Sequence, residues 1–329
     1  MSLLAVALVI AAVQAAPAPG AVTPLAGTPF ERHVLTDASG REVTYYISRP
    51  RGARAPLLLR IQGSGCSPII SQRAGMTFSS EFNLMQMASE GQFATMVVEK
   101  PYAGQASGER GTATGCSAEF NADFTAASWL AAIQASLRDA RRANWIDPRR
   151  TLVMGGSEGA VMATLLAAAD PGVTDVIAIG GSGTSQAYDF IVSAYTTCFD
   201  VPRCLAQAEQ QLRAIAAKPD SATDFAWGHP YKRWASFFRV DPGEALLHSR
   251  ARTYIAFGTA DRAVPALSQE IMVAKLLAAG RDVTVRRVPD AGHGLVIPGA
   301  HDDANMDREY RAALAWFWQG QGIDTRPQP

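Results

Sequence analysis

Short apolar runs alternate with helically spaced apolar positions along most of this chain, and that alternation sets the expected architecture. The runs at 56–61, 93–98, 151–154, 173–179 and 253–257 are rich in apolar residues and 283–288 is a β-branched stretch; all are too short for buried helices, so they are expected as strands. Between them, 123–145 places Phe124, Trp129, Leu130, Ile133 and Leu137 on one helical face and gathers Arg138, Arg141 and Arg142 near its end, where cations complement the helix dipole. Residues 158–169 are rich in alanine and leucine and stop at Asp170-Pro171-Gly172, as a buried helix should. Residues 304–319 carry Tyr310, Leu314, Trp316, Phe317 and Trp318 and are expected as a closing amphipathic helix, while 31–49, with a turn at Asp37-Ala38-Ser39-Gly40, is expected as an N-terminal hairpin. Strands and helices in alternation point to the α/β class, a mostly parallel sheet with helices on both faces.

One interval breaks the rhythm. Residues 184–250 exceed by far the dozen or so residues that a parallel crossover needs, and they hold Phe190, Trp227, Trp234, Phe237 and Phe238. They are expected as a helical cap inserted between the core segments 16–183 and 251–329. Trp227, Trp234 and Phe238 would line its substrate pocket; the alternative is an ordinary excursion with its own small core.

Composition narrows the function classes. Thirty basic and thirty acidic residues cancel, and no basic cluster is present, which argues against a nucleic-acid partner. Residues 3–13 form an apolar run too short to span a bilayer, followed by small residues around Ala15, so 1–15 is expected as an export signal and the protein as periplasmic or secreted. No later run is long enough for stable membrane insertion. Four cysteines suit an oxidising compartment and allow three connectivities; Cys198 with Cys204 is the natural local pair, leaving Cys66 with Cys116, against the alternative of four reduced thiols. No clustered histidines accompany them, so no metal is expected.

The candidate chemistry begins at Gly155-Gly156-Ser157-Glu158-Gly159, a strand turning abruptly into a helix with a serine at its apex. A serine hydroxyl needs a base to take its proton and a carboxylate to orient that base. Of five histidines, His293 alone follows a predicted strand near the C-terminus; His33, His229, His248 and His301 read as solvated or packing residues. Asp261, on the loop after 253–257, is expected as the acid, with Asp290 as competitor. The glycine-rich loop Gln62-Gly63-Ser64-Gly65 after a buried strand can bring the amides of Ser64 or Gly65 to an oxyanion, with the amide of Glu158 as second donor; the Glu158 carboxylate reads as a helix-dipole partner.

Together Gln62-Gly63-Ser64-Gly65, Gly155-Gly156-Ser157-Glu158-Gly159, Gly258-Thr259-Ala260-Asp261 with Val264-Pro265, and Gly292-His293 make the chain resemble the α/β-hydrolases over nearly all of its length beyond the leader. Trp145-Ile146-Asp147-Pro148-Arg149-Arg150 is similar to the segment before the nucleophile in prolyl-oligopeptidase-like and dienelactone-hydrolase-like members. Two departures stand out: the dienelactone hydrolases use cysteine where this chain has Ser157, and Gln62 replaces the histidine common in the family's oxyanion loop. The resemblance implies an α/β-hydrolase fold and a serine hydrolase without cofactor, acting on a small-molecule ester. A peptidase acting on short peptides is the alternative, and a binding protein on a hydrolase scaffold a third.

Overall fold

The structure is a computed structural model that describes residues 20, 22–50, 52, 54–73, 76–79, 92–103, 115–299 and 302–320. The expected export signal at 1–15 lies outside them, as does His301. Nine strands form the central sheet: β1 (Val22–Pro24), β2 (Phe30–Thr36), β3 (Glu42–Ser48), β4 (Ala55–Ile61), β5 (Ala94–Val98), β6 (Ile146–Gly156), β7 (Asp175–Ile179), β8 (Arg252–Gly258) and β9 (Val283–Val288). Their spatial order is β1-β2-β3-β5-β4-β6-β7-β8-β9. Every pairing from β5 onwards is parallel, while β1, β2 and β3 join through antiparallel pairings.

The helices are α1 (Ala118–Asp123), α2 (Ala126–Ala140), α3 (Glu158–Ala169), α4 (Gln186–Thr196), α5 (Val201–Ala217), α6 (Tyr231–Phe237), α7 (Pro242–Leu247), α8 (Ala266–Ala278) and α9 (Asp302–Gln319). Both faces of the sheet are covered, which is why its central strands read as unbroken apolar runs. Successive side chains sort to opposite faces: Leu57, Leu59, Val153, Val176 and Ala178 pack with α2, α3 and α8, whereas Leu58, Leu152, Met154, Ile177 and Ile179 pack with Phe93 and α9.

Two expected elements differ in extent. The predicted helix 123–145 is shorter at both ends: α2 runs from Ala126 to Ala140, started by a capping box between Thr125 and Ser128, while Phe124 belongs to the extended end of α1. The predicted strand 151–154 belongs to the longer β6, whose first residues Ile146 and Asp147 pair with Ala55 and Pro56 before the register shifts and Thr151 pairs with Leu57. Pro148 lacks the N–H that a regular ladder needs there.

Residues 184–250 fold as α4 to α7 plus a two-residue hairpin pairing Phe225 with Pro230 and Ala226 with His229. Ile215, Ala226 and Trp234 form a small core of their own with Phe190, Tyr231 and Phe238 packed on it, but Phe237 and Leu246 insert into the main core. Two disulfides join Cys66 to Cys116 and Cys198 to Cys204. Among the described residues, no helix is long and apolar enough to cross a membrane.

Candidate active site

Ser157 sits between β6 and α3 with φ 55° and ψ −126°, a conformation that non-glycine residues seldom adopt. Its amide donates to Ile179 O at 2.9 Å, fastening the turn to β7. The flanking glycines are steric necessities. A Cβ on Gly155 would fall 2.0 Å from Gly159 O, and one on Gly159 would fall 2.2 Å from Ile61 O, so α3 is pressed directly against β6 and β4.

Two loops at the strand ends bring the other groups. Asp261 follows β8 and is buried; its Oδ1 accepts from the amides of Ala263 at 2.8 Å and Val264 at 3.0 Å, leaving Oδ2 2.9 Å from His293 Nδ1. His293 stands in the loop after β9. Gly180, at φ 58°, lies against the pair: a Cβ there would sit 3.6 Å from His293 Nδ1 and 3.7 Å from Asp261 Oδ2. Asp290, three residues from His293, is exposed, and its backbone N–H donates to the Thr259 hydroxyl oxygen at 2.9 Å.

The glycine-rich loop after β4 rests on Ser157, since a Cβ on Gly63 would be 3.5 Å from Ser157 Cβ. Gln62 holds that loop by donating from Nε2 to Ser67 O at 3.1 Å, and the disulfide at Cys66 anchors its far end. Beneath it lies a group that sequence reasoning missed. Lys100, just past β5 and almost wholly buried, donates to Gly63 O at 2.6 Å, Gly65 O at 3.0 Å and Glu158 Oε1 at 3.0 Å. Glu158 Oε2 in turn accepts from Arg233 Nε at 3.1 Å and Nη2 at 2.5 Å, and Arg233 Nη1 donates to Gln186 at 3.0 Å. The guanidinium is stacked between Trp234 and Phe237, 4.0 and 4.2 Å from their ring centroids. Burial alone would push the Glu158 carboxyl up, but the charges of Lys100 and Arg233 outweigh it and hold it at about 2. Glu158 is therefore an ion-pair hub as well as an acid in the first turn of a helix.

These residues surround a cleft of about 350 Å³ lined by Ser157, Glu158, Ser64 and His293 on the sheet side and by Gln186, Asp189, Phe190, His229, Arg233 and Trp234 from the 184–250 segment. Gly65 is not in its lining. Of the three predicted pocket aromatics, Trp234 lines this cleft. Trp227 stacks on Phe190 at 3.7 Å and lines an adjoining cavity of about 670 Å³, and Phe238 packs behind Trp234 at 5.5 Å. His229, read from sequence as solvated or packing, is at the cleft and meets Trp234 edge-on at 5.3 Å; burial and the charge of Arg233 lower its imidazole to about 4. Asp189, also missed, accepts a hydrogen bond from Ser182 at 2.5 Å, and burial pushes its carboxyl up to about 6. No local pattern marks Lys100, Arg233 or Asp189: Lys100 follows Glu99 and Arg233 follows Lys232, as ordinary surface charges do.

In chemical terms the cleft offers a hydroxyl on a strained turn, an imidazole oriented by a buried carboxylate, and a helix N-terminus beside a glycine loop. Among the described residues, no cluster of His, Cys, Asp and Glu could hold a metal ion.

Known proteins share this framework. The structure superposes on Est1E from Butyrivibrio proteoclasticus with a TM-score of 0.56 and 16% identity, covering 88% of this chain and 99% of that one. It superposes on the acylaminoacyl peptidase of Pyrococcus horikoshii with a TM-score of 0.60 and 14% identity, covering 92% of this chain and 43% of that one. A puromycin-hydrolyzing peptidase of Mycobacterium tuberculosis gives a TM-score of 0.61 and 14% identity, with 90% of this chain and 40% of that one covered. No curated protein sequence matches the chain. The family model described as alpha/beta hydrolase family matches residues 78–307, most of the chain, a span that includes the elbow, the Asp261 loop and the His293 loop. By that match, and with the sheet order and strand-end loops just described, the chain belongs to the alpha/beta hydrolase family.

Proposed function

We propose that this protein is a serine hydrolase that cleaves carboxylic esters through Ser157, His293 and Asp261. Asp261 fixes the tautomer of His293 by accepting from Nδ1–H, so that Nε2 is free to take the Ser157 proton. The alkoxide forming on Ser157 attacks the ester carbonyl. The amides of Ser64 and Glu158, or Gly65 in place of Ser64, stabilise the oxyanion; the imidazolium then protonates the leaving alcohol, and water attacks the acyl-enzyme with His293 again as base. No cofactor enters this scheme. The observation that carries it is the 2.9 Å contact of His293 with the buried Asp261, in a cleft that His293 shares with the elbow serine. Labelling by a fluorophosphonate, located by peptide mapping, tests it. Modification at Ser157 that disappears in Ser157→Ala is expected; an unlabelled wild-type protein would leave a binding protein on a hydrolase scaffold.

Cleavage of short peptides is the second reading. It is favoured by the polar side chains Gln186, Asp189, His229 and Arg233 in the cleft and by the peptidases among the structural relatives. Comparing aminoacyl amides with simple esters of the same acyl group separates the two. In either case residues 184–250 act as the cap that shapes the acyl or leaving-group pocket, with Trp234 its main apolar surface and Trp227 and Phe238 supporting it. The two disulfides support an exported protein, periplasmic or secreted, with residues 1–15 as its signal.

A further inference from the structure

A buried lysine is an expensive way to hold a loop, since removing an ammonium from water costs several kcal/mol even when it is paired. Lys100 nevertheless has its three N–H donors matched to three acceptors, and Phe124 and Trp129 close over the rest, 4.7 and 6.0 Å from the nitrogen. Two acceptors belong to the glycine loop and the third to the residue after the serine. In a trans peptide the C=O and the next N–H point in opposite directions. Gly63 O is drawn inward to Lys100, so the Ser64 N–H in the same peptide plane points outward, towards the cleft that Ser64 lines. The Glu158 side chain, gripped through Oε1, anchors the first residue of α3, whose own N–H is the other donor.

We propose that Lys100 is the positioning residue of the oxyanion site: a single ammonium that sets the spacing and direction of the Ser64 and Glu158 amides by holding both walls at once. Arg233 extends the device into the 184–250 segment, because it grips the other oxygen of the same carboxylate. This inference rests on the serine hydrolase reading, since without a tetrahedral intermediate there is no oxyanion to receive.

The charges say which variants will fold. Lys100→Met leaves the Glu158–Arg233 pair intact, and Arg233→Met leaves the Lys100–Glu158 pair, whereas Glu158→Gln strands two buried cations. Losing an oxyanion donor outright lowers kcat by roughly 10² to 10³. Misaligning one is a smaller loss, so Lys100→Met is expected to lower kcat roughly 10- to 100-fold with KM within about threefold, and Arg233→Met less. Inhibition by a boronic acid, which becomes tetrahedral on Ser157, should weaken in step with kcat, while inhibition by an uncleavable ether analogue of the substrate stays unchanged. A lysine of purely structural importance would weaken both inhibitors alike. If Lys100→Met does not fold, Lys100→Gln, which can still donate to a loop carbonyl, is expected to lower kcat by a smaller factor with the same split between the two inhibitors, and equal losses for the two inhibitors would overturn the inference. Turnover by folded Lys100→Met within about twofold of wild type, or equal losses for the two inhibitors, would overturn the inference. Wild-type protein that fluorophosphonate fails to label would instead remove the serine hydrolase reading, and this one with it.

Discussion

The wall of the cleft that carries Ser157 and the wall supplied by residues 184–250 are held by different forces. The first is backbone on backbone: β6 lies between β4 and β7, and α3 approaches so closely that a methyl group at Gly155 or Gly159 would overlap a main-chain carbonyl. The second is side chain on side chain, a small aromatic core around Trp234 and Phe190, one disulfide, and the Arg233–Glu158 contact that joins it to the sheet. The difference assigns different work to each. A wall fixed by main-chain contact can hold reacting atoms to the tolerance that bond-making needs, while a wall built from replaceable side chains can change what fits without dismantling the chemistry.

The sharpest way to break this contrast is to disable the first wall without unfolding it. Ser157→Ala and His293→Ala are each expected to lower ester turnover by roughly 10⁴ to 10⁶, because such residues act as a unit, while melting stays cooperative. Retained turnover in the Ser157→Ala protein would deny this wall its reactive role.

Next in size is the choice between two carboxylates. Asp261→Asn should lower kcat by roughly 10³ to 10⁴ through loss of the correct imidazole tautomer. Asp290→Asn, whose side chain is exposed, should cost less than about tenfold. The opposite ranking, measured side by side, would move the acid to the loop of His293 itself.

For the second wall, smaller and more selective effects are expected. Trp234→Ala should lower stability by roughly 3 kcal/mol and also change the ratio of short- to medium-chain ester hydrolysis, because Trp234 both fills the small core and lines the cleft. Phe238→Ala should lower stability and leave that ratio alone. A changed ratio in Phe238→Ala alone would mean that the substrate runs behind Trp234 rather than in front of it.

The smallest effect is on pH dependence. Burial, then Arg233 and Lys100, lower His229 from 6.5 to about 4, and Glu158 only partly opposes them. The unfolded chain then binds the proton that the folded chain refuses, so this histidine contributes stability that is full above pH 6.5 and lost as the pH falls towards 4. Urea midpoints for His229→Gln should accordingly decline less across that window than those of the wild type; parallel declines would place the imidazole in water.

Legibility in the sequence follows the same division. The elbow could be read because its geometry imposes glycines at fixed offsets within five residues, Asp261 because it follows an apolar strand, and His293 because it follows a β-branched one near the C-terminus. The sheet was legible for a related reason, since strands covered on both faces must be apolar throughout. Lys100, Arg233, Asp189 and the cleft position of His229 were not legible. Their partners lie 37 to 75 residues away for the Lys100 and Arg233 contacts to Gly63 and Glu158, and nothing local in the chain records such a pairing. The start of α2 was hidden because Phe124 keeps the apolar spacing although it lies outside the helix, while the Thr125–Ser128 capping box that sets the start is a matter of hydroxyls.

The edge position of β9 has a consequence for how activity is lost. β9 pairs with β8 alone, its side chains are largely half-buried or exposed, and the loop that follows it presents His293. The serine, by contrast, hangs from an interior strand. Edge elements with little buried surface open at lower free energy than the whole domain. Fraying of β9 would therefore withdraw the proposed base from an otherwise intact molecule, so that heat or denaturant should silence the proposed ester turnover reversibly before any global loss of helix signal, and the strand of the proposed nucleophile should be among the last to let go.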